Sequence, residues 1–223
     1  MNHGTRQLPL PFGEQPGYAA ADFIAAASNE AARGWLERGQ DWTNGRLILW
    51  GEPGCGKTHL LRMWAGPRGA TVIDGAQLRG LPAEPVADLA IDDVDLAPDE
   101  TALLHALNAA AEAGKTVLMT ARRPPARQEI KLPDLASRLR ASLAVEILSP
   151  EDELLAALLA HLAAGRQVHL SFQVQNYLLT HLPRTPAALR EAVARLDHAA
   201  LDRQSKITRA MAAEILSDLI VME

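Results

Sequence analysis

Gly51-Glu52-Pro53-Gly54-Cys55-Gly56-Lys57-Thr58 satisfies the phosphate-loop pattern G-x-x-x-x-G-K-[ST] at every position. The residues before it, Arg46-Leu47-Ile48-Leu49-Trp50, form an apolar run suited to a strand buried in a parallel sheet. Those after it, His59-Leu60-Leu61-Arg62-Met63-Trp64, continue as a helix. Strand, glycine-rich turn and helix in that order aim backbone N–H groups and a helix N-terminus at one point, where an anion is stabilised. Gly51, Gly54 and Gly56 let the backbone close on phosphate oxygens, Lys57 adds a point charge, and the Thr58 hydroxyl suits magnesium. A turn alone needs neither the lysine nor the hydroxyl. The expected ligand is therefore a nucleoside diphosphate or triphosphate with Mg2+, held by Gly51, Gly54, Cys55, Gly56, Lys57, Thr58 and His59.

Outward from the loop, strands are expected at 46–50, 70–73, 87–91, 116–120 and 143–148, alternating with helical segments, which implies a doubly wound parallel α/β sheet. The alanine-rich stretch 18–39, with Phe23, Ile24, Ala27, Ala31, Trp35 and Leu36, reads as a helix ending at Gly39. Ser149-Pro150-Glu151-Asp152 reads as a helix start capped by the serine. Beyond it the pattern is wholly helical. Leu154, Leu155, Leu158, Leu159 and Leu162 share a face, and further helices are expected over 168–182, 186–202 and 210–221. Residues 1–17, with three prolines and three glycines and no periodicity, read as an extended tail. The expected division is thus 1–17 tail, 18–148 nucleotide-binding domain and 149–223 small helical domain.

Asp88-Leu89-Ala90-Ile91-Asp92-Asp93 is an apolar strand ending in two carboxylates. In phosphate-loop proteins such an acid stands beside the loop and helps hold magnesium, which assigns Asp92 together with Thr58 to the metal. Asp93 is placed to orient or deprotonate an attacking water.

The chain has 223 residues, 48% of them hydrophobic, enough for one core and a smaller satellite. No apolar run approaches the roughly 18–20 residues of a membrane span, and the N-terminus shows no charged-then-apolar leader, so a cytoplasmic protein without membrane contact is expected. The single cysteine, Cys55, agrees with a reducing compartment. Seven scattered histidines do not form a metal cluster pattern, and a net charge of -5 argues against general nucleic-acid binding. Against that acidic background, 115–140 carries seven bases (Lys115, Arg122, Arg123, Arg127, Lys131, Arg138, Arg140) and two acids (Glu129, Asp134), a surface suited to phosphates or an acidic partner.

With these motifs in place, the chain resembles the AAA+ family, and within it the DnaA replication initiators and their shorter Hda-type regulatory homologues. Asp22-Phe23-Ile24 and Asn29 resemble the segment that flanks the adenine. Gly56-Lys57-Thr58-His59-Leu60-Leu61 is similar to the loop and helix, Thr120-Ala121-Arg122-Arg123-Pro124-Pro125 to the first-sensor segment, and Leu132-Pro133-Asp134-Leu135-Ala136-Ser137-Arg138-Leu139 to the arginine-finger segment. DnaA continues into a DNA-binding domain. This sequence ends at Glu223 after its helical segments, so the resemblance implies the regulatory kind, without sequence-specific DNA binding of its own. Gln7-Leu8-Pro9-Leu10-Pro11-Phe12 is similar to the peptide that docks on the DNA polymerase sliding clamp. Pro9 and Pro11 keep it extended, which lowers the entropy lost on docking, Leu8, Leu10 and Phe12 supply apolar anchors, and Gln7 supplies a rim hydrogen bond.

Two positions depart from the family pattern. Arg122 stands at the first sensor, and Ala187 stands where the second sensor has an arginine, with Arg184 nearby. Both weaken hydrolysis in cis. The resemblance narrows the nucleotide to ADP or ATP and implies weak or no ATPase activity of its own, with the clamp and DnaA as partners, self-association possible, and Arg138 supplied to DnaA as an arginine finger. An autonomous ATPase of clamp-loader or helicase-loader type, and a non-catalytic adaptor, are the competing expectations.

Overall fold

The five apolar runs become five parallel strands, β1 Arg46–Trp50, β2 Thr71–Asp74, β3 Leu89–Asp92, β4 Val117–Ala121 and β5 Leu143–Glu146, in the order β2-β3-β4-β1-β5. The structure is a computed structural model and describes residues 23–80 and 87–220. Each strand falls within two residues of its expected place. Around the sheet lie helices α1 Glu30–Glu37, α2 Lys57–Arg68, α3 Glu100–Glu112 and α4 Pro133–Arg140. β1, β3 and β4 are buried on both faces because helices cover both. Alternation along β1 divides the core: Leu47 and Leu49 face α1 and α2 with Leu60, Leu61 and Trp64, while Ile48 faces α3 and α4 with Leu103, Leu107, Leu135 and Leu139. β2 and β5 are edge strands and more exposed.

A third apolar cluster belongs to the C-terminal helices α5 Asp152–Gly165, α6 Phe172–His181, α7 Pro186–Asp202 and α8 Arg209–Ile215. Leu155, Leu158, Leu159, Leu178, Leu189 and Leu196 form its centre. Local chemistry sets the starts of these helices. Ser171, Thr185 and Thr208 each accept a hydrogen bond from the backbone N–H three residues on, and Pro186 occupies the first turn of α7. Among the described residues no helix is long and apolar enough to cross a membrane.

Three boundaries differ from expectation. From residue 23 onward, the helix expected over 18–39 is α1 alone, preceded by a 3-10 turn at Ala27–Asn29, and residues 18–22 lie outside the described residues. Asn29 is the cause: its side chain accepts from the Ala26 N–H and donates to the Ile24 carbonyl, so the segment closes on itself instead of extending a helix. Ser149 is not a cap, since α5 begins at Asp152 with Glu151 at the capping position. Glu151 turns away from its helix and accepts the Ala27 N–H at 3.0 Å, tying the start of α5 to the chain ahead of α1. The last helix ends at Ile215, short of the expected 221.

Leu118 is fully buried in the centre of the sheet. Leu118→Ala should destabilise the protein by about 2–5 kcal/mol, read as a lower midpoint in urea denaturation.

Candidate functional site

In a parallel sheet all strands end at one edge, and here the candidate residues gather there. Trp50 pairs with Ala121, Leu49 with Thr120, and Ile91 with Met119, so β4 separates the end of β1 from the end of β3. The loop after β1 turns through three glycines with positive φ, Gly51 at 154°, Gly54 at 84° and Gly56 at 105°. A side chain at Gly51 would stand 2.3 Å from the Ile147 carbonyl oxygen. The loop then enters α2 at Lys57. Lys57 is 6% exposed, and its ammonium donates to the carbonyls of Gly51 at 2.7 Å and Glu52 at 2.9 Å, folding back into the loop. Cys55 is buried beneath, 3.8 Å from the same ammonium. Burial pushes its thiol pKa up, against the opposing pull of Lys57, so it packs as a neutral side chain.

The Thr58 hydroxyl donates to Asp92 Oδ1 at 3.2 Å, joining α2 to the end of β3. This is the pairing expected of residues that share a magnesium ion, and two hard oxygens beside a glycine-rich amide loop fit that cation. Sequence reasoning placed Thr120 in the first-sensor segment but gave it no role. Its hydroxyl donates to the same Asp92 Oδ1 at 2.5 Å and accepts from the Asp93 N–H at 2.8 Å. The available signal was a polar residue, fully buried, near the end of an otherwise apolar strand. Gly75 was missed. A side chain there would meet the carbonyl oxygens of Asp93 at 2.5 Å and Asp92 at 2.7 Å, so the turn after β2 supports the acidic corner from behind.

Asp93 has φ 51° and ψ 55°, a left-handed conformation uncommon outside glycine but tolerated by Asp and Asn. Its carboxyl pKa lies above the ordinary range, first through burial, then through the charges of Asp92 and Asp95, with Arg122 and Lys57 pulling the other way. Arg122 projects outward, and its backbone N–H donates to Asp95 at 3.0 Å. The residue at the sensor-like position thus acts on Asp93 by charge.

Phe23 meets the His59 ring edge-on at 5.2 Å, beside Gly56. This forms one wall of the expected base-flanking region. Asn29, expected in the same wall, is 3% exposed and spent on its own turn. Asp22 and the whole hexapeptide with Gln7, Leu8, Leu10, Pro11 and Phe12 lie outside the described residues. From above, the start of α7 meets the loop: a side chain on Gly54 would touch Thr185 at 3.0 Å and Pro186 at 3.6 Å. Ala187 follows, exposed, and Arg184 is held by Asp152 and the Pro150 carbonyl at 3.3 Å, not by the loop.

Arg138 is elsewhere. It lies on α4 beside Arg46, the first residue of β1, at the opposite end of the strand from the loop.

Residues 151–216 match the family model described as the Hda lid domain. Over 93% of this chain and 99% of the other, the fold superposes on domain III of the Thermotoga maritima replication initiation protein DnaA with a TM-score of 0.77 at 20% identity. The C-terminal part of the chain is thus similar to the Hda lid domain, and the chain as a whole has the fold of DnaA domain III. The lid-like part is the α5–α8 bundle. DnaA from Aquifex aeolicus, solved with AMPPCP bound, gives a TM-score of 0.66 at 19% identity over 85% of this chain and 69% of that one. An uncharacterized protein of Haemophilus influenzae is 28% identical over 96% of this chain and 99% of its own length. The segment similar to the Hda lid approaches the phosphate loop through Thr185 and Pro186.

Asp93→Asn keeps a residue that tolerates the left-handed backbone and removes only the charge. A carboxyl whose folded pKa is raised contributes stability that is complete below its unfolded pKa and is lost as pH rises through the folded pKa. At neutral pH the variant should therefore be more stable than the wild type, by a small margin because the carboxyl is partly exposed and its charge partly screened. The gap should close as pH falls below the ordinary carboxylate range, which thermal melts from pH 3 to 8 would show.

Proposed function

We propose that this chain is a nucleotide-binding regulator of replication initiation that docks on the DNA polymerase sliding clamp and stimulates ATP hydrolysis by DnaA in trans. The observation that carries this reading is the separation of Arg138 from the chain's own loop. β1 has five residues and, at about 3.3 Å per residue, puts roughly 15 Å between its two ends. Arg138 stands at the near end, beside Arg46, and the loop stands at the far end. A phosphate that Arg138 contacts therefore belongs to another molecule. The division into a docking tail (1–17), nucleotide module (18–148) and lid (149–223) is part of the same proposal.

In the chain's own loop the ligand is ADP or ATP. Backbone amides around Gly54 and Gly56 would hold the phosphates, Lys57 would swing from the Gly51 and Glu52 carbonyls to them, and Phe23 and His59 would flank the base. Thr58 and Asp92 would hold Mg2+, which supplies charge neutralisation at the phosphates. Asp93, with its raised proton affinity, is the candidate to orient water. Ala187 leaves the lid without a cation for the terminal phosphate, which supports slow turnover in cis. The complete Asp92, Thr58 and Thr120 arrangement favours the second reading, an autonomous ATPase, and a turnover assay on the protein alone separates the two.

An arginine supplied in trans stabilises charge on the transferring phosphoryl group and is worth on the order of 10³–10⁵ in rate in GTPases. Arg138→Ala should remove stimulated hydrolysis of DnaA-bound ATP while leaving intact the rise in melting temperature that ADP produces. Lys57→Ala should abolish that rise. Arg138→Lys should also fail, since an ammonium lacks the planar fork. Single-turnover decay of ATP on DnaA with DNA-loaded clamp reads the outcome, and undiminished decay with Arg138→Ala rejects the assignment.

Leu10 and Phe12 are apolar anchors worth roughly 1.5–3 kcal/mol each when fully buried. Replacing both with alanine should abolish clamp retention in a pull-down and leave the melting temperature unchanged. Retention at wild-type level removes the hexapeptide from the reading.

A further inference from the structure

The first position of β1 is unusual for a strand buried on both faces. Arg46 occupies it, 6% exposed, where the other four strand residues are Leu, Ile, Leu and Trp. Its Nε donates to the Ser142 hydroxyl at 3.2 Å, and that hydroxyl donates to the Arg138 carbonyl at 2.9 Å. Ser142, itself buried in the turn between α4 and β5, therefore ties Arg46 to the last turn of the helix that carries Arg138. Burial, and after it the charge of Arg138, a second cation, lower the Arg46 pKa. Among the described residues no ion pair joins either guanidinium to a carboxylate. Buried charges are ordinarily paired, because desolvation of a lone ion is costly and a like charge adds to that cost. Two arginines placed side by side by the α4–β5 turn, neither paired with a carboxylate among the described residues, at the border of a segment with seven bases and two acids, have the charge and the donor forks of an anion site.

We propose that Arg46 and Arg138 form a single seat for a phosphoryl group carried by another molecule, with Arg46 as the positioning residue that fixes Arg138 and shares the anion. Taking the anion to be the terminal phosphate of a nucleoside triphosphate on the partner rests on the trans-acting reading of Arg138. Phosphate binding at the seat does not. Arg46 is anchored through Ser142 on a central strand, whereas Arg138 is half-exposed on an eight-residue helix. The anchored group defines where the anion lies, and the exposed one closes on it.

Inorganic phosphate is the probe, compared with sodium chloride at equal ionic strength, in thermal melts of the full chain. Lys57→Ala serves as the background, to remove the phosphate loop. In that background phosphate at ten times its Kd should raise the melting temperature by about 3–6 °C. Adding Arg46→Met should abolish the rise. Arg46→Lys, which keeps the charge and protects against a folding defect, should weaken phosphate binding by about ten-fold or more. An absent rise in the Lys57→Ala background, or one that survives both Arg46 variants, overturns the seat. In the partner assay Arg46→Lys should lower the stimulated rate by on the order of 100-fold, the scale of a misplaced catalytic group, with the half-saturating concentration unchanged. Loss of the phosphate effect with Arg46→Met, combined with full stimulation by Arg138→Ala, would keep the seat and reject the trans-acting reading. Loss of stimulation with Arg138→Ala, combined with a phosphate effect indifferent to Arg46, would do the reverse.

Discussion

The Asp92 carboxylate accepts hydroxyl protons from Thr58 and Thr120 on one oxygen, and the geometry of the whole nucleotide edge depends on that convergence. Thr58 belongs to α2, Thr120 to β4 and Asp92 to β3, so three elements that meet nowhere else in sequence are held in one register. Thr120 also accepts the Asp93 N–H, which helps hold Asp93 in its left-handed conformation. Gly75 lets the turn after β2 pass within contact of the same corner. The hydrogen bonds that fix the acidic corner come from neutral groups, while burial and then the charges of Asp92 and Asp95 raise the Asp93 pKa.

The lid makes its contact at the tip of the loop, where Thr185 and Pro186 meet Gly54. Thr185 caps α7 and Pro186 starts it, so the residues that begin the helix also touch the loop. Arg184 is bound to Asp152 and the Pro150 carbonyl, on the side of the lid's first helix. Both partners are largely exposed, so this pair orients the connection more than it stabilises it. Glu151 adds a second tie to the chain before α1. Lid position is therefore set by short polar ties at the junction, by Thr185 and Pro186 at the loop, and by Ile24 packed against the lid's own apolar cluster.

At the other edge of the sheet the electrostatics reverse. The strand ends beside the loop carry Asp92, Asp93 and Asp95, and the strand starts carry Arg46 with Arg138 close by. The five-residue length of β1 keeps these two groups apart. One molecule thereby presents an acidic corner at one end of the strands and two arginines at the other, an arrangement in which a phosphate held at one end cannot be reached by an arginine from the other.

Much of this was legible in the chain. The phosphate loop lies in adjacent residues whose chemistry needs no fold to be recognised, and the strands announced themselves as mostly apolar runs because the central strands of a parallel sheet are buried on both faces. Asp92 was legible too, as the acid that ends such a run. What the sequence could not disclose depends on residues distant in the chain. Thr120 reads as one more strand residue until β4 is seen between β1 and β3. Asn29 reads as a base-flanking residue until both ends of its amide are found bonded to its own turn. Ser149 has every mark of a helix cap, yet Glu151 takes that position and is drawn to Ala27, because a hydrogen bond across 124 residues outweighed a local preference worth about 1 kcal/mol. Arg46 looks like the polar end of a strand. Only the packing of the α4–β5 turn against the start of β1 brings it to Arg138, since strand register and helix placement are collective outcomes of core packing and not of any one residue's propensity.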